Sequence, residues 1–174
     1  MTHLYLPHTD QEITDFPQIK SFLSGQGVDL DRWEASFPLS ETDSQERVLA
    51  AYAHKVNPYM KAHGFLTADV INVHPGTPNL DALRAKFLKE HTHSENEVRF
   101  FVDGSGVFWF HFEDGQVARL VCTQGDFLSV PKGAKHWFDL APGYFVKAIR
   151  IFTNPEGWVA AYTGSKIEES YEGP

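Results

Sequence analysis

A chain of 174 residues with 42% apolar and 14% aromatic content can fill one core and is short for two. Its 23 Asp plus Glu against 15 Lys plus Arg give a net charge of -8 with no basic run, which excludes a nucleic-acid surface built on phosphate neutralisation. The single cysteine, Cys122, excludes an intrachain disulfide, suits a reducing, cytoplasmic setting, and is expected to fill a strand position. Met1-Thr-His-Leu-Tyr-Leu-Pro7 has neither a basic n-region nor a long apolar stretch and is not read as a signal peptide. No apolar run approaches the roughly 18 residues that span a bilayer, so no membrane partner is expected.

In chain order, Ile13, Phe16, Ile19, Phe22 and Leu23 recur at helical spacing, predicting one or two amphipathic helices broken by Pro17. Asp43 and Glu46 predict a capping box for a helix through Val48, Leu49, Tyr52 and Val56, ended or kinked by Pro58 near Asn57. Ala68–Val73 reads as a strand and His74–Pro78 as a turn. Asn79 is the expected cap of a short helix presenting Leu80, Leu83 and Phe87. From about residue 88, short β-rich runs alternate with turn signals at Asp103–Gly106, Glu113–Gly115, Gln124–Asp126, Pro131–Gly133 and Pro142–Gly143. The fold class is therefore mainly β: one barrel or sandwich domain over 1–174, with a helical part over 1–66, a barrel core over 67–164 and a tail over 165–174.

The chemistry concentrates in Glu90-His-Thr-His-Ser-Glu-Asn-Glu-Val-Arg99. In a strand, His91 and His93 share a face, and Glu97 and Arg99 keep that parity. Imidazole with carboxylate suits Fe, Ni, Mn, Zn or Cu, and the lack of thiolates argues against a structural zinc knot. His136, after Gly125-Asp-Phe-Leu-Ser-Val-Pro-Lys-Gly133, is the candidate fourth ligand, leaving two positions open on an octahedral metal. His3, His8, His54, His63, His74 and His111 lack partners at ligand spacing, and Glu95 is read as a solvated turn residue.

Together these segments match both cupin motifs, as His91-x-His93-x3-Glu97-x6-Gly104 and Gly125-x5-Pro131-x-Gly133-x2-His136. An asparagine common near the end of the second motif is replaced by Asp139 and Leu140. More narrowly, the chain resembles the acireductone dioxygenase family through Asp69-Val-Ile71, Pro78-Asn-Leu-Asp81, Lys86-Phe-Leu88, Glu97-Val-Arg-Phe-Phe101, His136-Trp-Phe-Asp139, Ala148-Ile-Arg-Ile-Phe152 and Trp158-Val-Ala-Ala-Tyr-Thr-Gly164. The resemblance implies a jelly-roll cupin barrel with peripheral helices, holding one Fe2+ or Ni2+ per chain on His91, His93, Glu97 and His136. It implies an acireductone with a methylthio tail and O2 as small-molecule partners, methionine salvage as the setting, and a monomer. Arg99 is the implied catalytic group bordering the substrate, with Arg150 in support or held in an internal salt bridge. Phe87, Phe138 and Trp158 are the implied aromatic walls. Rival readings are another cupin dioxygenase, a sugar-phosphate isomerase, which lacks a phosphate cluster here, and a non-catalytic metal-binding cupin.

Overall fold

The computed structural model describes residues 1–154, 156 and 159–171. The N-terminal part holds β1 (His3–Leu6), β2 (Gln11–Ile13), α1 (Phe16–Gly25), β3 (Asp29–Arg32) and α2 (Gln45–His63). Pro17 does not break α1. It lies in the first turn, where no intrahelical N–H is required, and the Asp15 carboxylate caps that turn by accepting from the Gln18 N–H at 3.1 Å. In α2 the cap is Ser44, whose hydroxyl accepts from the Arg47 N–H, rather than Asp43, which accepts from the Ser40 N–H and pairs with Arg47. Pro58 does not end α2, which runs on to a left-handed Gly64 at φ 72°. An interior proline costs about 3 kcal/mol, and burial of Val48, Tyr52 and Val56 against the barrel offsets that cost.

Next come β4 (Thr67–Val73), α3 (Leu80–Leu88), β5 (His91–Thr92), β6 (Glu97–His111), β7 (Val117–Thr123), β8 (Asp126–Val130), β9 (Lys135–Asp139), β10 (Val146–Phe152) and β11 (Ala161–Tyr162). Asn79 stands before α3 in the left-handed region and makes no side-chain cap bond, so its expected role is not realised. Two antiparallel sheets share β6. One runs β4-β10-β6-β8-β3 and the other β11-β5-β9-β6-β7-β1-β2. The result is an open-edged jelly roll of the cupin type, mainly β. Three strands within residues 1–66 extend the two sheets, so that part is woven into the barrel as well as packed on it.

The turn expected at Asp103–Gly106 is a corner inside one continuous strand. The first half of β6 pairs with β10 and β8, and its second half with β7 and β9. Gly104 takes φ 70°, and the Phe145 carbonyl occupies the space a Cβ would need. Gly106 likewise makes room for the Phe138 ring. Alternation along β6 then assigns the layers. Val98, Phe100 and Val102 face α2, whereas Phe101, Phe108 and Phe110 belong to the inner core with Leu120, Leu128 and Phe138. Glu97 and Arg99 have the inward parity of Phe101. Val107, Trp109 and Trp137 form an outer layer covered by Ile167 and Tyr171. No helix among the described residues is long and apolar enough to cross a membrane.

Candidate metal centre

His91 stands directly opposite His136 in the β5–β9 register, and His93 follows β5 in the bend before β6. One ring nitrogen of each of the three histidines lies within 4.8 Å of the others. Each Nδ1 meets a backbone carbonyl: Lys89 O at 2.7 Å from His91, Val159 O at 3.2 Å from His93 and Ala134 O at 2.8 Å from His136. A carbonyl only accepts, so each Nδ1 carries the proton and each Nε2 offers a lone pair. Burial, reinforced by the neighbouring histidines, pushes the His91 imidazolium down to about 3, so this ring is a neutral donor.

Glu97 begins β6 and is 1% exposed. Its Oε2 lies 3.0 Å from His93 Nε2 and 3.3 Å from His136 Nε2. Glu97 Oε2 and His136 Nε2 are buried without a hydrogen-bond partner among the described residues. Converging lone pairs with no donor between them repel one another, and a cation placed among them removes the conflict. The donor set, three neutral imidazoles and a carboxylate, therefore fits a divalent transition metal. Glu95, by contrast, points elsewhere and accepts from the Thr153 hydroxyl and the Asn154 amide.

Arg99 is 3% exposed and donates Nε–H to Glu97 Oε1 at 2.6 Å. Burial pushes the Glu97 carboxyl up, but the Arg99 guanidinium and the facing His136 and His93 rings together outweigh it and hold the group well below the usual carboxylate range. The guanidinium carbon sits 4.7 Å from the Phe138 ring centroid and 4.9 Å from that of Phe108, two cation–π contacts with rings that themselves meet edge-on at 5.0 Å. Its Nη1 is buried and has no partner among the described residues. Arg150, opposite Arg99 in the β10–β6 register, is engaged differently: it makes a bidentate pair with Asp69 at 2.8 and 2.6 Å.

Beside the histidines opens a cleft of about 470 Å³ lined by His91, His93, Arg99 and Arg150, with apolar walls from Ile71, Val73, Leu83, Phe87 and Val159. Phe87 meets Phe138 edge-on at 6.0 Å, which places Phe138 behind the lining rather than in it. Trp158 lies outside the described residues. Sequence reasoning missed Tyr162, which also lines the cleft, and Glu90, a buried carboxylate beside the first histidine. For Glu90 the available signal was its parity opposite His91.

The family model described as the ARD/ARD′ family matches residues 6–160. The chain belongs to the ARD/ARD′ family. Among curated relatives with that character, it is 49% identical to the acireductone dioxygenase of Picosynechococcus sp. over 171 residues, covering 98% of this chain and 97% of that one. It is 48% identical to the acireductone dioxygenase of Aquifex aeolicus over 161 residues, with 92% and 87% covered. A solved acireductone dioxygenase from Bacillus anthracis, with cadmium ion in its active centre, superposes with a TM-score of 0.85 at 33% identity, covering 93% of this chain and 98% of that one. ARD/ARD′ membership and the paired sheets together fix the fold as a cupin jelly roll.

Proposed function

We propose that this chain is an acireductone dioxygenase that uses O2 to cleave 1,2-dihydroxy-3-keto-5-methylthiopentene. The products with Fe2+ are 4-methylthio-2-oxobutanoate and formate, and with Ni2+ they are 3-methylthiopropanoate, formate and CO, with methionine salvage as the setting. The observation that carries this reading is the convergence of three buried imidazoles and Glu97 beside a cleft lined by His91, His93 and Arg99, whose Nη1 is buried without a partner among the described residues. His91, His93, Glu97 and His136 are the residues that hold the metal. When bound there, a divalent cation supplies a template and Lewis acid for two enediolate oxygens.

The protein's own residues do the rest. Arg99 Nη1 presents a charged N–H to an anionic substrate oxygen, and the Glu97 bond together with the Phe108 and Phe138 contacts keeps it from turning away. Arg150 adds positive potential from behind its Asp69 pair. Ile71, Val73, Leu83 and Phe87 accept the methylthio tail and keep water from the reacting carbons. Phe138 supports Phe87, and Trp158 is assigned to the same wall from the sequence resemblance alone. The proposal takes the protein to act as a monomer in the cytoplasm.

The test is anaerobic reconstitution with Fe2+ and, separately, Ni2+, followed by acireductone and O2. We expect faster consumption than the uncatalysed oxidation, with CO released only by the nickel form. No acceleration with either metal overturns the proposal.

A further inference from the structure

Glu90 stands immediately before His91 in extended chain, so its side chain faces away from the metal centre. An outward carboxylate is ordinarily solvated, yet Glu90 is 2% exposed. What covers it is the C-terminal strap, residues 159–165. Glu90 Oε1 accepts from the Thr163 hydroxyl at 2.7 Å and the Ser165 hydroxyl at 2.8 Å, while Oε2 accepts from His111 Nδ1–H at 2.9 Å. The Glu90 carbonyl accepts from the Thr163 N–H at 3.1 Å. A carboxylate saturated by three side-chain donors holds its partners far more tightly than the two-residue pairing of β11 with β5 does.

The strap in turn lines the cleft with Val159, Ala160 and Tyr162. The Val159 carbonyl accepts from His93 Nδ1–H. Tyr162, opposite His91 in the β11–β5 register, lines the cleft and donates its hydroxyl to the Lys86 carbonyl of α3 at 3.3 Å. Apart from these contacts the strap is weakly held: Val159 is 56% and Tyr162 49% exposed.

We propose that Glu90 is a positioning residue, a latch that clamps the 159–165 strap onto the barrel so that Val159 holds the His93 imidazole and Tyr162 closes the outer side of the cleft. It acts through the strap and touches neither metal nor substrate. The proposal deepens the reading of the cleft as a substrate site, but neither readout of its test uses acireductone.

The Ni2+-loaded protein is compared by hydrogen–deuterium exchange and by competitive Ni2+ titration. In Glu90→Ala, amides 161–163 are expected to exchange at least about tenfold faster, with amides 98–102 of β6 unchanged, because a local opening leaves the sheet core intact. Ni2+ affinity is expected to fall about tenfold, at the low end of the roughly 10–100-fold typical of lost outer partners. Glu90→Gln, which keeps an acceptor for Thr163 and Ser165, should restore most of both losses. The strap-side double variant Thr163→Ala/Ser165→Ala should reproduce them, and it decides the matter if Glu90→Ala fails to fold. Wild-type exchange at 161–163 in the alanine variants overturns the latch. So does equal acceleration of the strap and β6, or unchanged Ni2+ affinity with a loosened strap. Absence of acireductone turnover in the wild-type protein would overturn only the proposed function.

Discussion

The two sides of the cleft are built by different means. On the barrel side, His91, His93, Glu97, Arg99 and His136 are all buried and sit on strands hydrogen-bonded from both flanks or in the bend between them. On the outer side, α3 contributes no fully buried residue, and the strap is tied by a short β pairing and a few side chains. Precision is concentrated where the proposed ligands converge, and compliance where a substrate must enter. Surfaces that must open are drawn from the less stable parts of a fold.

The barrel side should break most severely. His136→Ala removes a proposed ligand and is expected to abolish stoichiometric metal binding, a larger loss than the roughly 10–100-fold cost of an outer partner; metal analysis after gel filtration measures it. Stoichiometric metal in that variant would remove His136 from the ligand set.

Arg99→Ala should retain metal and lose about 10²–10³-fold in kcat, the scale of one preorganised donor to a developing anion. Arg150→Ala should lose less, because Asp69 already occupies its fork. Equal losses in the two variants would collapse the distinction between these neighbouring arginines.

Stability of the metal-free protein should fall as pH drops from 7 toward 4. Unfolded His91 takes up its proton near 6.5, whereas the folded ring resists until about 3. Between those values the unfolded state binds more protons, so acid favours it by up to ~1.4 kcal/mol per pH unit for this one group. Glu97, held low in the folded state, adds to the loss below its ordinary range. Urea midpoints at pH 7, 6 and 5 check this, and a flat profile would contradict the buried, neutral His91. The smallest effect belongs to the outer side. Tyr162→Phe removes one half-exposed hydroxyl bond and should cost at most about 0.5–1.5 kcal/mol, read as a modest rise in KM with kcat preserved.

The same contrast explains what the sequence disclosed. His91, His93 and Glu97 were legible because they lie within seven residues of one another, where strand parity alone puts them on one face. His136 was legible through its turn pattern, and its pairing with His91 is what β9 adds. The family resemblance brought Arg99 and Phe87 to the cleft side, and both line it. Local rules failed where distant burial overruled them. Pro58 is carried through α2 by a face packed on the barrel, and the Gly-rich 103–106 segment bends a strand instead of ending it because both sheets continue its pairing. Tyr162 was not legible, and Glu90 only through its parity, because their roles depend on a strap that returns from the far end of the fold.

The sharing of β6 between the sheets also governs the order of assembly. Val98 must find Ile151 and Phe108 must find Phe138, so neither sheet closes from neighbouring segments alone. Non-local pairing of this kind belongs to the slow, millisecond-to-second end of folding. During synthesis, β6 gains β7 and β8 first, and the other edge of each half stays bare until β9 and then β10 have followed. The proposed ligands share that schedule: His91, His93 and Glu97 are an incomplete set until His136 arrives, so a cation captured by the nascent chain before β9 pairs would be held by fewer donors.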